Sequence, residues 1–354
     1  MNDNPATAQR RSVPAGQGGA GQRKSTATRH VAKALWYVAP GLVELRPQTL
    51  EPLNPCEARV RTLYSGISRG TERLVLQGAV PPGEFGRMRA PLQEGQFPFP
   101  VKYGYCAVGR VEDGPESLIG TTVFCLHPHQ DVFNAPVTML AVVPNGVPAK
   151  RATLAANMET ALNALWDSGA GPGDTIVIVG AGIVGLLAAA LGAAIPGTNV
   201  TVVDVIENRR SLAEAMGAEF AAPTAAPTDA DVVFHTSASA AGLATSINAA
   251  GLEATVVEMS WYGSHTIQAN LGGAFHSRRL KLISSQVGQV SLARRPRWTY
   301  ARRMAKALEL LSDARFDALV AEGLDFADLP DRLPAALSGD GAALPPVIVY
   351  QPVA

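Results

Sequence analysis

The run Thr175-Ile-Val-Ile-Val-Gly180-Ala-Gly182-Ile-Val-Gly185 holds the densest chemical signal in the chain. In such a run Gly180 permits a tight turn, Gly182 lets the backbone approach an anion, and Gly185 allows a helix to pack closely on the strand. Ile183 and Val184 then open that helix, whose N-terminus favours a diphosphate. A second apolar segment, Val200-Thr-Val-Val-Asp204, ends in an acid 24 residues after Gly180. That is close to the spacing of roughly 20 at which a carboxylate meets the ribose hydroxyls of a dinucleotide. A carboxylate there repels a 2′-phosphate, which favours NAD over NADP, while Arg209 and Arg210 just behind it act in the opposite sense. An ordinary glycine-rich turn followed by a surface aspartate would share the glycines. It would not require the sequence strand, glycines, helix, strand, acid.

The surrounding elements fit that site. Helical spacing of Leu154, Met158, Ala161, Leu162 and Leu165 predicts a helix between Arg151 and Gly169. Strands are predicted at Thr175–Val179, Asn199–Asp204, Asp231–Phe234, Ala254–Met259 and Leu280–Gln286, with helices at Ile183–Ala193, Asn208–Met216 and Ala240–Ala249. Such alternation implies a parallel sheet covered on both faces. From Ala34 to about Val143 the segments are short and alternating, as in Ala34–Val38, Ala58–Tyr64, Ala107–Glu112 and Thr122–Leu126, and read as an all-β module. A basic helix near Trp298–Leu311 follows, then Ala318–Val320 and an apolar strand, Pro346–Tyr350. That last strand has no place in the parallel sheet and is expected to return to the β module. The expected division is a tail over residues 1–32, a β catalytic domain over 33–153, a dinucleotide domain over 154–290 and a return to the catalytic domain over 291–354.

Bulk composition narrows the partners. Lys plus Arg and Asp plus Glu number 30 each, so no global field seeks nucleic acid. The most apolar stretch, Ile183 to Ile195, is too short to cross a bilayer, and no membrane partner is expected. The first thirty residues offer almost nothing to bury and read as a disordered tail without a signal-peptide core. Three cysteines, Cys56, Cys106 and Cys125, without a CxxC spacing point to a reducing compartment, and the cytoplasm is the default address.

An all-β module, an inserted Rossmann domain and a return strand together resemble the medium-chain dehydrogenase/reductase superfamily over about residues 33 to 353. The phrases Ser65-Gly-Ile-Ser-Arg-Gly-Thr-Glu72, Gly104-Tyr-Cys-Ala-Val-Gly109 and Glu159-Thr-Ala-Leu-Asn-Ala164 occur with the Gly180 fingerprint in the family's order. The Gly-Ile-Ser and Gly-Thr-Glu phrases and the Gly-Tyr pair look most like the hydroxyethyl-bacteriochlorophyllide dehydrogenase branch. The resemblance implies an α/β fold, a GroES-like β catalytic domain with an inserted doubly wound dinucleotide-binding domain. It also implies a homodimer acting on a small molecule. The family's zinc members carry Cys where this chain has Ser68, a His-Glu pair where it has Tyr105-Cys106, and Cys or Glu near Ala155 or Ala156. These side chains bind zinc poorly or not at all, and the cysteine-rich structural-zinc lobe is missing. No zinc is therefore expected, although Cys106, Cys125, His127, His129 and Glu159 could compose a remade site.

Without zinc another group must polarise the substrate oxygen. The resemblance makes Tyr105 a candidate general acid, or a tyrosine that only packs in the pocket. His127 could relay a proton near neutral pH, or it and His129 could belong to a polar loop. Ser68 could bind the same oxygen or be a structural hydroxyl at a turn. Glu159 could serve the site or complement a helix dipole. Arg69 matches a position that often meets the pyrophosphate, and Thr160 lies on the nicotinamide side. Ser260, Trp261, Tyr262, Ser284, Ser285 and Gln286 follow strands whose ends bind ligands in this fold, with core or interface packing as the alternative for the two aromatics. The basic cluster Arg294 to Arg303 reads as a solvated helix start, with a nucleic-acid stack or an anion-attracting rim as alternatives. The expected activity is NAD(H)-dependent interconversion of an alcohol and a carbonyl without catalytic zinc. The alternatives are an NADPH-dependent enone or quinone reductase, and a catalytically silent nucleotide-binding protein.

Overall fold

The computed structural model describes residues 30–338 and 343–351. The expected tail over residues 1–29 lies outside the described residues. His30, Val31 and Ala32, assigned to that tail, instead open the strand His30–Ala39, where cross-strand pairing with Leu42–Leu50 holds them.

Six parallel strands form one sheet, in the spatial order Glu219–Ala221, Asn199–Val203, Thr175–Val179, Ala230–His235, Ala250–Glu258, Lys281–Ser284. Numbered along the chain this is 3-2-1-4-5-6, the doubly wound order whose switch point lies between the first and fourth strands. Burial on both faces explains the unbroken Ile-Val-Ile-Val of the first strand. Ile176 and Ile178 join one core with the helices Ala155–Ser168, Ile183–Ala193 and Tyr300–Leu310. Val177 and Val179 face the opposite core, with the helix Ala240–Ala249. The short strand Glu219–Ala221 was not predicted, because three residues are too few for a periodic signal.

The remaining strands are short and mostly antiparallel. One sheet joins His30–Ala39 to Leu42–Leu50 and the two-residue strands Val101–Lys102 and Glu94–Gly95. The other is built on Glu57–Gly66, flanked by Ala107–Asp113 and Thr122–Cys125 on one side. On its other side lies the C-terminal strand Val347–Val349, antiparallel with Ile348 opposite Ser65. The chain therefore leaves the β sheets, builds the parallel sheet and returns. The helix Arg69–Leu76, also unpredicted, starts inside the Gly-Ile-Ser-Arg-Gly-Thr-Glu phrase. Among the described residues no helix is long and apolar enough to cross a membrane.

Candidate functional site

A cavity of about 1010 Å³ lies where the carboxyl ends of the parallel strands face the β sheets. Gly182, Ile183, Val184 and Gly185 form one wall, and Ser68, Arg69, Thr71 and Tyr105 belong to the other.

Backbone shape defines the first wall. Gly180 has φ +116°, and a Cβ on it would stand 2.6 Å from the Thr236 hydroxyl and 2.8 Å from the Ser237 nitrogen. A Cβ on Gly185 would stand 2.0 Å from the Gly180 carbonyl oxygen, so only glycine permits this helix-to-strand spacing. Gly182 differs: nothing lies within 4 Å of its Cβ position, so the protein leaves that space open. Gly182 also caps the helix Ile183–Ala193 with no side-chain bond. First-turn N–H groups of a helix lack intrahelical partners, so this turn suits a diphosphate. The residues present thus fit a dinucleotide. Asp204 follows the second strand, and its carboxylate accepts the Ala181 N–H at 2.6 Å and the Ile206 N–H at 2.8 Å. A carboxylate has about four acceptor sites, so capacity remains for ribose hydroxyls. Arg209, not Asp204, is part of the cavity wall.

The polar residues beyond the fourth and fifth strands brace the switch point. His235 shares hydrogen bonds with Glu258 through Nδ1 at 2.7 Å and with Ser237 through Nε2 at 2.8 Å. Tyr262 donates to the same Glu258 oxygen at 3.0 Å, and the Ser260 hydroxyl accepts the Ala238 N–H at 3.1 Å. Ser260 and Trp261 line the cavity, whereas Tyr262 stands behind the wall. Thr160 lines it too, with its hydroxyl donating to the Ala156 carbonyl at 2.9 Å. Ser285 and Gln286 reach the wall, with Ser285 held by Asp167 at 2.7 Å; Ser284 does not.

Side chains define the other wall. Burial raises the Tyr105 hydroxyl pKa well above its ordinary value, opposed by hydrogen bonding to Ser68 and Thr71. The phenol therefore keeps its proton across the physiological range and faces a ligand as a donor. Ser68 precedes the helix Arg69–Leu76, and its N–H donates to Glu72 Oε1 at 2.7 Å. Glu72 Oε2 accepts the Tyr37 hydroxyl at 2.9 Å and lies 3.1 Å from His129 Nε2. His129 Nδ1 is 2.8 Å from the Ser65 hydroxyl, itself 2.9 Å from that of Tyr350. This buried network ties the Ser68–Arg69 turn to two strands, through Tyr37 and Ser65, and to Tyr350 just past the C-terminal strand. Glu72 and Tyr37 escaped the sequence reading, although the Gly-Thr-Glu phrase contains the key residue.

The structure corrects the reading of His127. Its ring is buried, stacks on Phe133 at 3.8 Å, and lies outside the cavity wall. Burial and then the nearby Lys102 charge push its pKa down to about 3, and Nδ1 sits 2.8 Å from the Pro128 carbonyl. A neutral, enclosed imidazole is not a relay near neutral pH.

Glu159 also differs from expectation. It lies beyond the first turn of its helix, and Arg303 Nε donates to it at 2.9 Å with both side chains buried. Arg303 also reaches Asn163 at 2.6 Å and the carbonyls of Gln289 and Val287 at 3.2 and 2.5 Å. The basic cluster is thus not simply a solvated helix start. Arg302 stacks over Trp298 at 4.1 Å and Arg294 over Trp166 at 5.5 Å.

These partners bear on the remade metal site. Glu159 is taken by Arg303 and His129 stands between Ser65 and Glu72, while burial raises the Cys106 and Cys125 thiols, the latter to about 12. Among the described residues no three His, Cys, Asp or Glu side chains come together in a way that could hold a metal ion. At the positions where the resemblance would place zinc ligands stand Ser68, Tyr105, Cys106, Ala155 and Ala156, and that donor set does not fit zinc.

Known proteins share this architecture. An L-idonate 5-dehydrogenase from Escherichia coli superposes with a TM-score of 0.73 at 15% identity, covering 91% of this chain and 99% of its own. A protein from Sinorhizobium meliloti, described as a zinc-binding dehydrogenase and bound to NADP, gives 0.72 at 18% identity, covering 92% and 100%. A short chain alcohol dehydrogenase from Escherichia coli complexed with NADH gives 0.72 at 15% identity, covering 90% and 99%. The fold is that of the zinc-binding dehydrogenases. No family model matches the sequence. An uncharacterized zinc-type alcohol dehydrogenase-like protein of Haemophilus influenzae is 36% identical over 114 residues, 32% of this chain. The match spans 33% of that relative's length.

Proposed function

We propose that the protein is an oxidoreductase that transfers hydride between NAD(H) and a carbonyl or alcohol, with Tyr105 rather than zinc at the substrate oxygen. One observation carries the reading: the open glycine cradle at Gly182 and the protonated Tyr105 border the same cavity. The nicotinamide, when bound, supplies or accepts the hydride at the substrate carbon. Backbone N–H groups of the Gly182–Gly185 turn hold the diphosphate, and Arg69 adds a planar guanidinium on the opposite wall. Asp204 offers its remaining acceptor sites to the ribose, which favours NAD. Tyr105 holds the proton and hands it to the carbonyl oxygen during reduction, and the hydroxyls of Ser68 and Thr71 beside it assist its return. Glu72 acts through Ser68 as a positioning residue.

A specific observation favours NADPH, and with it the enone or quinone reductase reading. Arg209 lines the cavity while Asp204 has two backbone partners. The edge strand Lys281–Ser284, paired on one side only among the described residues, supports the expectation of a homodimer.

A thermal-shift comparison of NADH and NADPH, followed by turnover of a carbonyl and alcohol panel and elemental analysis for zinc, tests the whole reading. NADH stabilisation, turnover and well under one zinc per chain are expected. Cofactor binding without turnover of any substrate would leave the silent nucleotide-binding alternative, and stoichiometric zinc would reject Tyr105 as the metal's replacement.

A further inference from the structure

The cavity wall carries five arginines, Arg69, Arg87, Arg89, Arg209 and Arg303, against one carboxylate, Glu159. Their surroundings sort them. Arg303 is compensated by Glu159. Arg87 is paired with Glu84 at 2.9 Å. Arg209 follows the second parallel strand, and Arg69 starts the helix facing the glycine turn, so both belong to the dinucleotide side. Arg89 is different: its guanidinium donates to the carbonyls of Gly95, at 3.0 Å, and Gln93, and among the described residues no carboxylate lies within 4 Å of it.

Aromatic packing fixes which end of the cavity Arg89 serves. Its neighbour Ala90 is buried in one cluster with Phe97 and Tyr103. The Phe97 ring lies 5.7 Å from Tyr103, and Tyr103 lies edge-on to Tyr105 at 6.0 Å. The backbone beside Arg89 therefore joins the aromatic cluster against which Tyr105 packs, and the Arg89 side chain stands exposed next to it. Apolar Ile67, Phe124, Leu126 and Trp261 also line this cavity. Two of the five guanidinium donors are spent on backbone carbonyls, which brace the group while its full charge and other donors remain.

We propose that the substrate end binds an organic anion, an apolar body bearing a carboxylate that Arg89 receives. The inference rests on the proposed function only in taking the tyrosine end as the substrate end. Arg89 is exposed at the cavity rim, so its charge attracts a carboxylate through solvent and in a salt-dependent way, and a neutral isostere gains nothing from it.

The test uses binding, so it is independent of hydride transfer. The purified full chain is titrated calorimetrically with 2-naphthoate and with 2-naphthamide, its neutral counterpart, then with both in Arg89→Gln and Arg89→Lys. Wild type should bind the carboxylate about tenfold more tightly than the amide, a preference that shrinks as salt rises. Arg89→Gln should remove most of the preference and Arg89→Lys should restore part of it. Should Arg89→Gln misfold for want of its loop brace, the wild-type ratio and its salt dependence decide alone. Equal affinities, or no binding of either compound, would overturn the inference. So would displacement of 2-naphthoate by NADH, because the anion would then occupy the diphosphate cradle. Failure of turnover with tight, selective naphthoate binding would instead count against the proposed function alone.

Discussion

The two walls of the cavity are made of different materials. The dinucleotide wall is backbone: a positive-φ glycine, a helix end without a side-chain cap, and an open space at Gly182. The tyrosine wall is side chain: Tyr105 beside Ser68 and Thr71, steadied by Glu72, His129 and Tyr37 from three separate segments. A backbone site tolerates almost no change at its glycines, yet it accepts one chemical group whatever the substrate. A side-chain site can change its residues while the sheets behind it persist.

The largest expected effect sharpens the side-chain half of the comparison. Arg303→Met leaves Glu159 buried without its cation and should cost about 3–5 kcal/mol of stability in urea unfolding. Adding Glu159→Gln should recover part of that loss; additive costs would show that the pair is not coupled. Acid titration probes the β sheets behind the tyrosine wall, where His127 stacks on Phe133. The folded-state pKa of His127 lies below its unfolded value, so the unfolded chain binds more protons between about pH 6.5 and 3, and stability falls as pH drops through that window. Wild type should lose about 3 kcal/mol from this group between pH 7 and pH 4, and His127→Gln should show a flatter stability profile. An unchanged profile in the variant would contradict the enclosed, neutral imidazole.

Two smaller effects test the backbone half. Gly182→Ala meets no protein atom, so its stability should stay within about 0.5 kcal/mol of wild type. Its methyl group would occupy the approach to the diphosphate, and NADH should bind roughly tenfold more weakly or worse. Unchanged affinity would mean that the open space is not the cradle. Asp204→Ala should narrow the gap between NADH and NADPH by up to about tenfold, read by fluorescence titration. A wild-type preference for NADPH would transfer the discriminating role to Arg209.

Legibility followed the same division. Gly180, Gly182, Gly185 and the helix Ile183–Ala193 were readable because backbone geometry forces residue type at adjacent positions. The C-terminal strand was readable by exclusion, since its apolar run had no partner in the parallel sheet. Pairings such as Glu159 with Arg303, 144 residues apart, leave no local trace, and Arg303 therefore looked like one more solvated cation. His127 looked like a relay because a His-Pro-His loop is polar in composition, while the stacking on Phe133 that buries it comes from the strand Val132–Pro136, which pairs with Glu57–Gly66.

In the proposed reaction Tyr105 supplies the proton to the substrate oxygen. Steady-state kinetics of Tyr105→Phe beside an NADH titration measures it most directly, because one hydroxyl is removed and the ring still fills its place. Turnover should fall roughly ten- to a thousandfold, the range for general acids and oxyanion donors, with NADH affinity nearly unchanged. Near-wild-type turnover would show that the tyrosine only packs and would contradict the account.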